Sequence, residues 1–120
     1  RVKVGKNAIV EYDAEISNDV NIQTGCLIGE YTKIGENSFI APHVCMVLDK
    51  YMGAGGNMYG KIKIGKNVRI GTNSTILPSV EICDNVMISA GSLVSKSITK
   101  PGLYITNVAI RRIKNVPKIE

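Results

Sequence analysis

The chain has 120 residues, enough for one domain with one modest core. Hydrophobic residues make up 44% and charged residues 21%, a globular balance that excludes a disordered chain, and no apolar run is long enough to span a bilayer. The net charge of +5 suits an anionic ligand but is too weak to indicate nucleic acid, and no aromatic interleaving supports one.

Aromatics are scarce at 5%, so the core is not built around large rings. The 12 Gly point to many tight turns. A single His excludes a multi-histidine metal site, and no metal is expected. Cys26, Cys45 and Cys83 form no CxxC pair; an odd count without a secretory signal reads as reduced thiols in a cytoplasmic protein. The chain opens at Arg1 rather than Met, as a trimmed chain or a piece of a longer product would.

A repeat of six residues runs from the start. Val4, Val10, Ile16, Ile22, Ile28, Ile34, Ile40 and Met46 fall six apart. The fifth position of each hexad is mostly small: Ala8, Ala14, Val20, Cys26, Thr32, Ser38. The fourth is often Asn, Asp or Gly, as at Asn7, Asp13, Asp19, Gly25 and Asn37; these types tolerate left-handed backbone. Each hexad therefore reads as one short strand plus one corner. A large aliphatic fills the interior, and three hexads close a triangular turn of 18 residues. Turns stack at the ~4.8 Å strand spacing, so stability comes from neighbours rather than from any single turn. Helical and heptad periods do not survive a strict six.

The pattern fails between Met46 and Ile64. MGAGGN (52–57) carries three Gly and cannot pack like the other coils. A loop over about 48–61 is expected, where ligand contacts concentrate. The alternative is a degenerate coil with Met52 and Met58 inside. The phase resumes at Ile64 and runs through Ile70, Ile76, Ile82, Ile88 and Val94. A short basic tail over about 100–120 follows.

IGENSF (34–39), IGKNVR (64–69) and IGTNST (70–75) match the pattern of hexapeptide-repeat acyltransferases. Residues 70–98 resemble that family's C-terminal coils almost position by position. The resemblance covers roughly residues 2–114. It implies an all-β, left-handed parallel β-helix of about five coils, acyl transfer from acetyl-CoA, and a homotrimer with sites between subunits. FIAPHVCMVLDKY (39–51) resembles the GPxVxFTNDxYP segment of N-acetyltransferases acting on nucleotide-linked amino sugars. Pro42, Val44, Asp49 and Tyr51 match; Leu48 and Met52 replace the family's Asn and Pro.

The resemblance implies the following site. Asp49, which has no role in the repeat, either holds or deprotonates the acceptor ammonium or is a solvated turn residue. Leu48, Lys50 and Tyr51 flank it as substrate contacts. His43 occupies a fourth position, where it is either a corner residue or a second proton acceptor. The sugar O-acetyltransferase pattern places a catalytic His near Tyr51, and this chain has none there. That favours an amine acceptor, which needs less help from a base than a hydroxyl. On the donor side, Ser89, Ala90, Gly91 and Ser92 match the family's GAGS with Ser at the first place; they either allow close approach of coenzyme A or serve repeat geometry alone. Lys96, Asn107, Arg111 and Arg112 complete the set, the arginines either as partners for phosphates or as an exposed basic terminus. An O-acetyltransferase with an atypical base and a non-catalytic oligomerisation module are the alternatives. The loop and the basic tail favour an enzyme.

Overall fold

The computed structural model describes residues 1–55 and 59–106. The fold is a left-handed parallel β-helix of about six turns, with no helix among the described residues. The first face stacks β1 (Lys3–Val4), β4 (Asn21–Ile22), β7 (Phe39–Ile40), β10 (Arg69–Ile70), β13 (Val86–Ile88) and β15 (Gly102–Tyr104). The second stacks β2 (Ile9–Val10), β5 (Leu27–Ile28), β8 (Cys45–Met46), β11 (Thr75–Ile76) and β14 (Leu93–Val94). The third stacks β3 (Glu15–Ile16), β6 (Lys33–Ile34), β9 (Lys63–Ile64) and β12 (Glu81–Ile82). All strand pairs are parallel, and most partners lie 18 residues apart, as in Asn21 with Phe39 and Lys63 with Glu81.

The helix is longer than the five coils expected. β15 forms the extra strand, pairing Leu103 with Met87 inside the stretch read from sequence as tail. The hexad pattern ends before it, so the period gave no sign of it.

In the two-residue strands the second residue points inward and the first outward; in β13, Val86 and Ile88 point inward and Met87 outward. Ile22, Ile28, Ile40, Met46 and Ile76 have no measurable exposure. Small fifth-position side chains fill the spaces beside them; Ser38, Ser74 and Ser92 are buried there with hydrogen-bond partners. The N-terminal end differs. Val4 and Val10 keep the interior phase but are 54% and 40% exposed, since the first described coil has a described neighbour on one side only. In a solenoid each coil is buried only by its neighbours, and the end coil lacks one.

The corners explain the fourth position. Asn7, Asp13, Asp19, Asn37, Asn67, Asn73 and Asn85 have φ between 54° and 60°, and Gly25 and Gly91 share the region. Tyr31, His43 and Ser79 also adopt it, at 62°, 61° and 69°. Second-position Gly answers a different need. A Cβ on Gly71 would strike the backbone at Ala90 in the next coil, and one on Gly35 would strike Gly65. Coils at strand spacing leave no room there.

Candidate functional site

Two edges of the prism carry the candidate residues, and the second face separates them. The first edge joins the first and second faces and includes His43, Asn73 and residues 89–92. The second edge joins the second and third faces and includes residues 11–14, 29–32, 47–55 and 59–62.

The loop leaves from the second edge. Strand β8 ends at Met46 and β9 begins at Lys63, whereas most corners use four residues. The neck is closed by the Gly60 N–H donating to the Leu48 carbonyl at 3.0 Å, and by an antiparallel bridge between Asp49 and Tyr59. A side chain at Gly60 would collide with Ser79 on the coil above, so Gly is required at this close approach. Met52 is 92% exposed, which rules out the degenerate coil.

Asp49 organises the loop's first turn. Its two carboxylate oxygens accept the N–H of Tyr51 at 2.9 Å and of Gly53 at 2.7 Å. Met52, Gly53 and Gly55 all have positive φ, so the chain turns back sharply around this carboxylate. Lys50 and Tyr51 are exposed, with the ammonium 5.9 Å from the ring centre. Leu48 and Asp49 line a recess of about 260 Å³ with Glu11, Glu30 and Tyr59. Glu11, Glu30 and Tyr59 were not singled out from the sequence. The signal was present in the 18-residue stride, which stacks Glu11, Gly29 and Val47 in one column and Tyr12, Glu30 and Leu48 in the next.

Below the neck, the Tyr12 and Tyr31 rings meet edge to face, with centroids 5.6 Å apart. Hydrogen bonding to Tyr31 and nearby negative charge hold the Tyr12 phenol above its ordinary pKa. The Lys61 ammonium lies 5.0 Å from the Tyr31 ring centre.

His43 lies on the first edge, apart from Asp49. Its backbone occupies the left-handed corner, and its ring covers Gly25, where a Cβ would come within 2.5 Å of ring atoms. The position is a corner, and β8 separates it from the loop.

The donor candidates continue along the same edge. Gly91 has φ 69° and donates its N–H to the Thr72 carbonyl at 2.7 Å. The Ser89 hydroxyl lies 3.0 Å from that of Ser92. Ala90 and Gly91 are exposed. With Gly71 beneath Ala90, the edge presents backbone that a thin extended ligand can approach closely. Lys96 lies instead on the second edge, exposed. Asn107, Arg111 and Arg112 lie outside the described residues. Among the described residues, no cluster of three or more His, Cys, Asp or Glu could hold a metal, and no helix is long and apolar enough to cross a membrane.

One chain thus carries the loop on one edge and the small-residue edge on another. Residues 61–96 match the family described as bacterial transferase hexapeptide (six repeats). The chain is 36% identical to the galactoside O-acetyltransferase of Escherichia coli (strain K12) over 129 residues, covering 94% of this chain but 63% of that protein. The crystal structure of a maltose O-acetyltransferase from Clostridium difficile 630 superposes with a TM-score of 0.79 at 26% identity, over 96% of this chain and 68% of the other. AntD, an N-acyltransferase from Bacillus cereus in complex with dTDP-4-amino-4,6-dideoxyglucose and coenzyme A, gives a TM-score of 0.52 at 25% identity, over 94% and 72%. From its six-residue period, its stacked triangular coils and these likenesses, the chain belongs to the hexapeptide-repeat transferase family.

Proposed function

We propose that this protein transfers an acetyl group from acetyl-CoA to the amino group of a sugar, one linked to a nucleotide, within a homotrimer. The observation that carries the reading is the division of the candidate residues between two edges flanking an uncharged face. The outward row of the second face is Ile9, Leu27, Cys45, Thr75 and Leu93, without one charge. With that face turned toward a threefold axis, the first edge of one copy meets the loop of the next. His43, Ser89, Ala90 and Gly91 would then face the partner copy's loop. Neither edge alone makes a site.

The donor would lie along the first edge, its pantetheine against exposed Ala90 and Gly91. Arg111 and Arg112, with Asn107, would follow from the chain's basic end toward its phosphates. Lys96 would contribute from the second edge of the adjacent copy.

The acceptor would sit against the loop, between Leu48, Lys50 and Tyr51. Its amine attacks the thioester carbonyl. The C–N bond forms, the C–S bond breaks, and the thiolate leaves with a proton. Backbone N–H groups of the cleft stabilise the oxyanion. Asp49 is already fixed by two backbone N–H groups, so its remaining lone pairs can orient the ammonium and accept its proton. The loop contains no His, which favours an amine over a hydroxyl. The AntD complex supports a nucleotide-linked amino sugar. A coenzyme A donor and three free thiols both fit a cytoplasmic enzyme.

Thiol release from acetyl-CoA should be assayed across nucleotide-linked amino sugars and their hydroxyl counterparts. Turnover with the amines supports the reading. Turnover with the hydroxyl sugars alone replaces it with O-acetylation, as the galactoside and maltose relatives are named.

A further inference from the structure

We infer that Tyr31 is a positioning residue that holds the neck of the loop through Lys61. Three observations meet at this residue. Tyr31 sits at a corner with φ 62°, where most corners of the described chain use Asn, Asp or Gly. A bulky side chain rarely adopts this conformation, and such strain persists where something else fixes it. The ring is held from two sides: Tyr12 meets it edge to face, and the Lys61 ammonium lies 5.0 Å from its centre.

Lys61 is the last loop residue before the chain rejoins the stack at buried Ile62. It follows Gly60, whose N–H closes the neck onto Leu48, and stands two residues after Tyr59, which bridges Asp49. The neck is therefore clamped between the Tyr31 ring on one side and Ser79, against which Gly60 packs, on the other. The Asp49 carboxylate hangs from this clamp. A corner Asn would satisfy the backbone better and release Lys61. The strained residue thus costs scaffold stability and gains a fixed loop. The consequence for catalysis rests on the acyl-transfer reading; the positioning itself does not.

The experiment compares Tyr31→Asn, Tyr31→Phe and Lys61→Gln in the full chain, by amide hydrogen exchange, thermal melting and acyl-transfer kinetics. In Tyr31→Asn, the melting temperature should hold or rise while the Tyr51, Gly53 and Gly60 amides exchange about tenfold faster. The Gly91 amide serves as the unaffected reference. Lys61→Gln should loosen the same three amides, and Tyr31→Phe, which keeps the ring, should leave them as in wild type. The acceptor KM should rise several-fold in Tyr31→Asn with the acetyl-CoA KM unchanged. Wild-type exchange at these amides in Tyr31→Asn overturns the inference, as does a melting temperature that falls together with protection throughout the chain. If the wild type transfers no acyl group to any sugar, the proposed function fails, and the exchange rates still decide the role of Tyr31.

Discussion

The second and third faces share the same two-residue strands and the same aliphatic interior, yet their outward rows differ completely. The second shows Ile9, Leu27, Cys45, Thr75 and Leu93; the third shows Glu15, Lys33, Lys63 and Glu81. The inward row decides whether the coil forms. The outward row is free to decide what the face meets. Charges on the third face remain hydrated and loosely paired, as Lys33 and Glu15 do at 3.8 Å. The uncharged face can be taken out of water with little polar desolvation.

The largest expected effect breaks that contrast directly. Thr75→Glu places a carboxylate within the second face, between Cys45 and Leu93. In a trimer this gathers three carboxylates away from water, each at a cost of several kcal/mol. Sedimentation equilibrium should show monomers, and acyl transfer should vanish with the site between subunits. Lys63→Ala on the third face should leave a trimer of full activity. If Thr75→Glu stays trimeric, another face makes the contact.

A smaller change sharpens the comparison of the two edges. Asp49→Asn should slow turnover by about a hundredfold or more, within the usual range for losing a positioned base. His43→Asn restores a common corner residue and should slow it less. Steady-state rates at saturating donor decide the order; the reverse order would make His43 the base.

The third test reads the second face through its thiol. Burial pushes the Cys45 thiol above its ordinary pKa. Less of it is thiolate at pH 8 than for an exposed thiol, so iodoacetamide should modify it more slowly than N-acetylcysteine. Raising the pH should narrow the gap.

The smallest effect is on the third face. Lys33→Met removes the ammonium from an exposed pair and should change stability by no more than about 0.5 kcal/mol. Urea denaturation measures it, and a larger loss would show that the third face is not simply hydrated.

The coils were legible because each interior position repeats one physical demand. Ile22, Ile40, Ile70 and Ile88 fill equivalent space in successive turns, so the sequence must return to a large aliphatic every 18 residues or, across the loop, every 30. Asn7 and Asn73 announce corners for a similar reason. Strand β15 was not legible, since Gly102–Tyr104 needs only parallel backbone bonds to β13 and carries no inward aliphatic series. The site was harder still. His43 and Asp49 are six residues apart, which looks close in sequence, but one hexad is one side of the triangle. The recess under the loop was hidden for the opposite reason: Glu11, Glu30 and Asp49 are distant in sequence and adjacent only after two turns are stacked. Tyr31 was not singled out from the sequence: its role depends on Lys61, which arrives from the far end of the loop.

The closed neck also bears on how such a protein can diversify. Lys33 pairs with Lys63 and Lys63 with Glu81 as if the residues between β8 and β9 did not exist. A deletion inside a coil would turn every later aliphatic onto a wrong side of the triangle. A change in the length of the loop alters nothing beyond Leu48 and Gly60. The scaffold can therefore carry successive versions of this one segment while the first edge keeps its register.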